Sequence, residues 1–208
     1  MKLGKLLPMA GSAALLTAVQ VAAQQPIEII PTGPYVHKGT GFIFPTASGP
    51  FKRLRIIEYD AGATDVSAGY DVYEKGHEAT LTVYVYPAPP ISLSTDDESI
   101  RLQKQGQCLA QFEGVKASIV AKHDGARLVE EDSIASPSRH FTEAGLHALF
   151  EFRAEFRGKE QLLRSEASLY CYFGGKWLIK YRLTAPVEVD SNAELARLMA
   201  ALPWPEPK

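Results

Sequence analysis

Residues 145–156 read GLHALFEFRAEF, and this stretch decides the fold. Leu146, Ala148, Phe150, Phe152, Ala154 and Phe156 alternate with His147, Leu149, Glu151, Arg153, Glu155 and Arg157. Successive side chains of a strand point to opposite faces, so the alternation predicts an apolar face on a core and a polar face toward water. Residues 161–173, QLLRSEASLYCYF, repeat it, with Leu163, Ala167, Leu169, Cys171 and Phe173 against Arg164, Glu166, Ser168, Tyr170 and Tyr172. In residues 176–184, KWLIKYRLT, Trp177, Ile179, Tyr181 and Leu183 alternate with Lys176, Lys180 and Arg182. Three such strands in succession, joined by short turns, form an antiparallel meander.

Charge complementarity predicts the register of the first pair. A Lys159-Glu160 turn sets Glu155 opposite Arg164 and Arg153 opposite Glu166, and places Phe156 on Leu163, Phe152 on Ala167 and Ala148 on Cys171. At the second turn a two-residue loop would mix the faces. A three-residue loop with Phe173 opposite Trp177 is therefore expected.

Working outward, residues 66–74 and 78–86 predict a hairpin turning at Lys75-Gly76-His77, its second strand rich in Thr, Val and Tyr. Pro87, Pro89 and Pro90 stop it. Thr95 and Glu98 form a capping box for a helix running to about Lys122, with Asp96 and Asp97 at the positive end of its dipole. Phe112, Val115 and Ile119 mark its apolar face, and Gly106 and Gly114 are expected to let it lie close on the sheet. Residues 126–131 suggest a short strand, and Glu130-Glu131-Asp132 a solvated edge. Ser191 and Glu194 form a second capping box before a short helix burying Leu195, Leu198, Met199 and Leu202, which Pro203 ends. A first strand is expected at Phe42-Ile43-Phe44 and another over residues 51–59. The fold class is α+β: a mostly antiparallel sheet, one long helix packed on its apolar face and a short C-terminal helix beside that helix.

Residues 1–23 have the three parts of a secretory signal peptide: Lys2 and Lys5, an apolar centre, and the small residues Val21-Ala22-Ala23. The apolar run is shorter than a bilayer span, so a periplasmic or secreted chain without stable membrane insertion is expected. The domain reading is a signal peptide over 1–23, an extended lead-in over 24–38, one domain over 39–203 and a proline-rich tail over 204–208 on which Trp204 is free to dock. Taking Lys2 and Lys5 from 22 basic residues against 24 acidic ones leaves a net charge of about −4, with the signs interspersed. That balance argues against nucleic acid as a partner.

Two cysteines in an oxidising compartment invite a bond. Cys108 shares a helix face with Phe112 and Val115, and Cys171 points to the apolar face of its strand, so both thiols look inward. The competing reading is two small buried hydrophobes that never meet.

Catalytic signatures are missing. His77-Glu78-Ala79-Thr80-Leu81 has Leu81 where a zinc-protease helix needs its second histidine. Gly39-Thr40-Gly41 reads as a turn, and the acidic residues lack the spacing of a calcium loop. His37, His77, His123, His140 and His147 are scattered and read as exposed or singly hydrogen-bonded. Glu151, Glu155 and Glu166 beside arginines read as a solvated ion-pair ladder. No cofactor or metal is called for. One feature stands out: Tyr84 and Tyr86 alternate away from Val83 and Val85, and Tyr170 and Tyr172 away from Leu169 and Cys171. On one face and accessible, these four amphipathic rings are candidate ligand-binding residues; covered by the lead-in or the C-terminal segment, they are core.

Gly41-Phe42-Ile43-Phe44-Pro45 near the start, ATLTVYVY at 79–86 before the long helix, and the 145–184 meander with its terminal helix resemble the PsbP-like α/β sandwich. That fold includes bacterial exported proteins of the DcrB type, and the likeness spans roughly residues 40 to 203. The resemblance implies a binding or assembly factor without catalysis, toward a protein or small-molecule partner. DcrB-type proteins are commonly lipoproteins, and this chain has no cysteine at its cleavage site. The alternative is a hydrolase or metal-dependent enzyme assembled from distant residues, with His140, His147 and Glu151 as its nucleus.

Overall fold

The computed structural model describes residues 25–92, 96–202 and 204–206. The expected signal peptide, Thr95 of the expected first capping box and Pro203 lie outside these residues. Eleven strands and two helices follow in order: β1 (Ile27–Ile29), β2 (Tyr35–Val36), β3 (Ile43–Phe44), β4 (Ala47–Ser48), β5 (Phe51–Glu58), β6 (Val66–Val72), β7 (Ala79–Pro87), α1 (Asp97–Lys122), β8 (Arg127–Ile134), β9 (Gly145–Phe156), β10 (Lys159–Phe173), β11 (Trp177–Pro186) and α2 (Ser191–Ala201). A nine-stranded antiparallel sheet runs β1-β5-β6-β7-β11-β10-β9-β8, with β4 paired to β5, while β2 and β3 form a separate ribbon. The α+β class is as the alternation predicts. The lead-in is more structured than expected, because β1 joins the edge of the sheet through Ile27 opposite Glu58.

The β9–β10 register departs from the charge-based expectation by four residues. The turn is Arg157-Gly158, both with positive φ (53° and 79°), the hairpin turn whose twist matches the flanking strands. Glycine adopts that conformation freely. Arg157 is held in it by its guanidinium, 4.1 Å from the Tyr73 ring centre and 3.7 Å from Asp71. Arg164 consequently pairs with Glu151, Leu163 with Phe152 and Ala167 with Ala148. Glu155 and Glu160 lie opposite each other at the exposed end, where water screens the repulsion.

The β10–β11 loop is as expected, with Phe173 opposite Trp177, but a bulge lies just before it. Tyr172 takes φ of 60° and pairs with nothing across the ladder, so Cys171 meets Leu178 rather than Ile179. One extra residue reverses which faces of the two strands agree. Leu169 therefore stands opposite Lys180 and Ala167 opposite Arg182. The apolar side of β9 and β10 is one face of the sheet; the apolar side of β7 and β11 is the other.

Each apolar half has its own cover. Phe112, Val115 and Ile119 of α1 pack on Ala148, Phe150, Phe152, Leu163, Ala167 and Leu169. Leu195, Leu198 and Met199 of α2 join Leu81, Val83, Ile179, Tyr181 and Leu183 in a second core on the opposite face. The short helix thus lies across the sheet from α1, not beside it. Trp204 completes that second core, its indole N–H donating to the Tyr181 hydroxyl at 2.7 Å.

Asp96 caps α1, accepting from the Ser99 amide at 2.9 Å. Asp190 caps α2 in place of the expected Ser191, and Glu194, instead of closing a box, accepts from Arg197 and pairs with His77 at 2.8 Å. Cys108 and Cys171 are joined in a disulfide that ties α1 to the end of β10. Closing a loop of 63 residues stabilises the fold by about 4 kcal/mol on chain-entropy grounds.

Candidate functional site

Because α1 is apolar only where it meets β9 and β10, the adjoining part of its underside faces the polar side of β7 and β11. Between them lies an open cleft of about 430 Å³, lined by Tyr59, Asp65, Tyr84, Tyr86, Lys180 and Arg182 from the sheet side. From α1 come Ala110, Gln111, Gly114, Val115, Ser118 and Lys122. A Cβ on Gly114 would meet nothing within 4 Å, and the same is true at Gly106. Neither glycine serves the close helix–sheet approach expected of it; at Gly114 the missing side chain leaves space in the cleft.

Lys180 extends over Tyr84, its Nζ 3.8 Å from the ring centre, and lies 5.8 Å from that of Tyr86. This is the geometry of a cation–π contact. Burial, with a contribution from Arg182, pushes the Lys180 ammonium down to about 8. The Arg182 guanidinium donates to His123 Nε2 at 3.0 Å and to Ser165 Oγ at 3.4 Å. His123 stacks on Phe152 at 3.9 Å, and burial together with Arg182 lowers its pKa, so the ring serves as a neutral acceptor. Burial raises the Asp65 carboxyl, helped by Asp60 and opposed by Lys180. Among the described residues no carboxylate comes within ion-pair distance of Lys180 or Arg182. The two cations lie two positions apart on one strand face, about 7 Å, and all their close partners are neutral.

The four tyrosines do not share this face. Tyr84 and Tyr86 line the cleft and are partly exposed. Tyr170 points through the sheet to the second core, fully buried against Trp204 and Tyr181, its hydroxyl donating to the Ala135 carbonyl. Gly145 makes room for that ring: a Cβ there would stand 2.6 Å from it. Tyr172, on the bulge, is buried under Lys104 and donates to the Pro89 carbonyl. The expectation of one four-tyrosine face is corrected by the bulge and by the two-sided cover of the sheet.

On the opposite face, the polar side of β9 and β10 is buried as well. His147 Nδ1 is 2.8 Å from Asp132 of β8, and its Nε2 is 3.8 Å from Glu166 of β10. The Glu166 carboxylate is the main influence raising the His147 pKa, with Asp132 adding to it against burial. Glu151, also buried, accepts from Arg127 at 2.6 Å and Arg164 at 3.3 Å. Of the three glutamates expected in a solvated ion-pair ladder only Glu155 is exposed, and it stands opposite Glu160 rather than an arginine. His37 is likewise buried, bonded to Thr40 and to the Thr64 carbonyl. The nucleus imagined for an enzyme does not assemble: His140 sits in a loop 3.9 Å from Glu206, and Glu151 is about 13 Å along the strand from His147. Among the described residues no three His, Cys, Asp or Glu side chains are placed to share a metal ion.

Tyr84 and Tyr86 were legible as candidates; Lys180, Arg182 and Asp65 were not. Lys180 and Arg182 read as solvated residues on the outer face of a strand. The only sequence signal that would have moved them is a bulge at Tyr172, and a tyrosine does not announce positive φ. No protein-family model matches the chain, and no significant match is found among curated proteins.

Proposed function

We propose that this chain is an exported binding or assembly factor without catalytic chemistry, and that its ligand site is the cleft beneath α1. The observation that carries the reading is the cleft itself: about 430 Å³, open to solvent and floored by two partly exposed tyrosines and a half-buried lysine. Sites for small molecules have this size and this mixture of aromatic walls with a few polar groups. The disulfide suits an oxidising compartment. No helix among the described residues is long and apolar enough to cross a membrane. The resemblance to the PsbP-like sandwich supports the same role.

The test is native mass spectrometry of the protein recovered from the exported fraction, beside a Tyr84→Ala/Tyr86→Ala variant. A bound molecule or captured partner on the parent protein and its loss from a still-folded variant is the expected result. An identical bound species on both, or none on the parent, overturns the assignment of the cleft. Amino-terminal sequencing of the same sample should begin at or near Gln24; a chain retaining Met1 sinks the export reading.

A further inference from the structure

Resting on the reading of the cleft as the ligand site, we propose that its ligand carries an oxyanion, a carboxylate or phosphate ester on a flat apolar body. The oxyanion sits between the Lys180 ammonium and the Arg182 guanidinium, and the body lies along Tyr84 and Tyr86. Removing a cation from water is unfavourable unless an opposite charge offsets it, and Lys180 and Arg182 are both half-buried beneath α1. Here two cations on neighbouring inward positions of β11 face a common space, and each is satisfied only by neutral groups: Tyr84 for Lys180, His123 and Ser165 for Arg182. His123 deepens the demand, because it accepts from Arg182 without contributing negative charge. Lys122 at the rim adds a third positive group. Among the described residues Asp65 is the one carboxylate lining the cleft; it stands beyond ion-pair distance of both inner cations, and its longer-range attraction for Lys180 is outweighed by burial.

The walls select what the anion is attached to. A cavity of about 430 Å³ is several times larger than an inorganic oxyanion, so a headgroup alone leaves most of it filled with water. Ala110, Gly114 and Ser118 recur every four residues along α1 and present little bulk to the cleft, while the tyrosine rings face them from the sheet. A planar body fits between those walls with its charged end at β11. Arg182 favours a planar, two-oxygen partner, and Lys180 supplies a movable point charge beside it.

Titration calorimetry of the disulfide-intact protein with phenyl phosphate, benzoate and uncharged benzyl alcohol tests this. At pH 7 both anions should bind at least tenfold more tightly than benzyl alcohol. Lys180→Met should remove most of that preference, and Lys180→Arg should restore it. At pH 8, near the point where the half-buried lysine is half protonated, anion binding should take up as much as about half a proton. The uptake is read from buffers of different ionisation enthalpy. Benzyl alcohol binding as well as the anions, or anion affinity indifferent to Lys180→Met, overturns the oxyanion inference while leaving the cleft as the ligand site. No titrant binding, together with no endogenous species lost from the Tyr84→Ala/Tyr86→Ala variant, overturns both.

Discussion

The two faces of the sheet treat their buried charges in opposite ways. Under α1, Lys180 and Arg182 are gathered around a cleft, and among the described residues no carboxylate lies within ion-pair distance of either. Across the sheet, His147 is clasped between Asp132 and Glu166, and Glu151 between Arg127 and Arg164, so each charge there has an answer within the protein. Compensated charges rigidify and specify a fold; uncompensated ones beside open space remain available to something outside it. The difference teaches that burial of polar residues is not by itself a sign of function. What matters is whether the partners are already present.

The largest expected effect separates the same residue type on the two sides. Tyr170→Ala should lose about 3–5 kcal/mol in denaturant unfolding, as large aromatics in cores do, since it removes a ring packed on Trp204 and Tyr181. Tyr84→Ala should lose under about 1 kcal/mol. Equal losses would erase the distinction between core and cleft.

Next comes the disulfide. The Cys108→Ser/Cys171→Ser pair should lose up to about 4 kcal/mol. Because the bond anchors the wall of the cleft, the variant should also weaken ligand binding, while the titration of His147 followed by NMR stays where it was. A shifted His147 titration would show that the two faces are mechanically one.

Lys180 gives a smaller effect with a defined pH window. Its folded value, about 8, lies below the ordinary 10.5, so the folded state binds fewer protons than the unfolded one between those limits. The penalty for burying the charge is therefore full below pH 8 and relieved as pH rises toward 10.5. Lys180→Met should be the more stable protein at pH 7, by on the order of 1–2 kcal/mol, and the gap should close by pH 10.5. A gap independent of pH would place its origin in packing.

The smallest effect has the opposite sign. His147 has a raised pKa, so its stabilising contribution is complete below 6.5, its ordinary value, and is lost as pH climbs through the folded value. Thermal unfolding at intervals from pH 5 to 8 should show this slope. Replacing Glu166 by Gln should flatten it, with Asp132 still facing the ring and Glu151 further along β9. An unchanged slope would point to Asp132 alone.

The sequence by itself determined the β6–β7 hairpin, the three strands of the meander, the long helix with its apolar stripe, the inward direction of both cysteines and the Phe173–Trp177 turn. Each follows from local periodicity, and periodicity survives folding because it is set by backbone geometry. The face on which each strand's pattern comes to rest was decided by tertiary structure alone. The positive-φ turn at Arg157-Gly158 moved one register by four residues, and the bulge at Tyr172 moved the next by one. An odd shift exchanges inside and outside, so that single residue set Ile179 and Tyr181 beside Tyr170 on the face opposite α1 and brought Lys180 and Arg182 beneath α1. Alternation specifies two faces of a strand without ranking them, and only the packing of α1, α2 and Trp204 against a finished sheet assigns each face its neighbour.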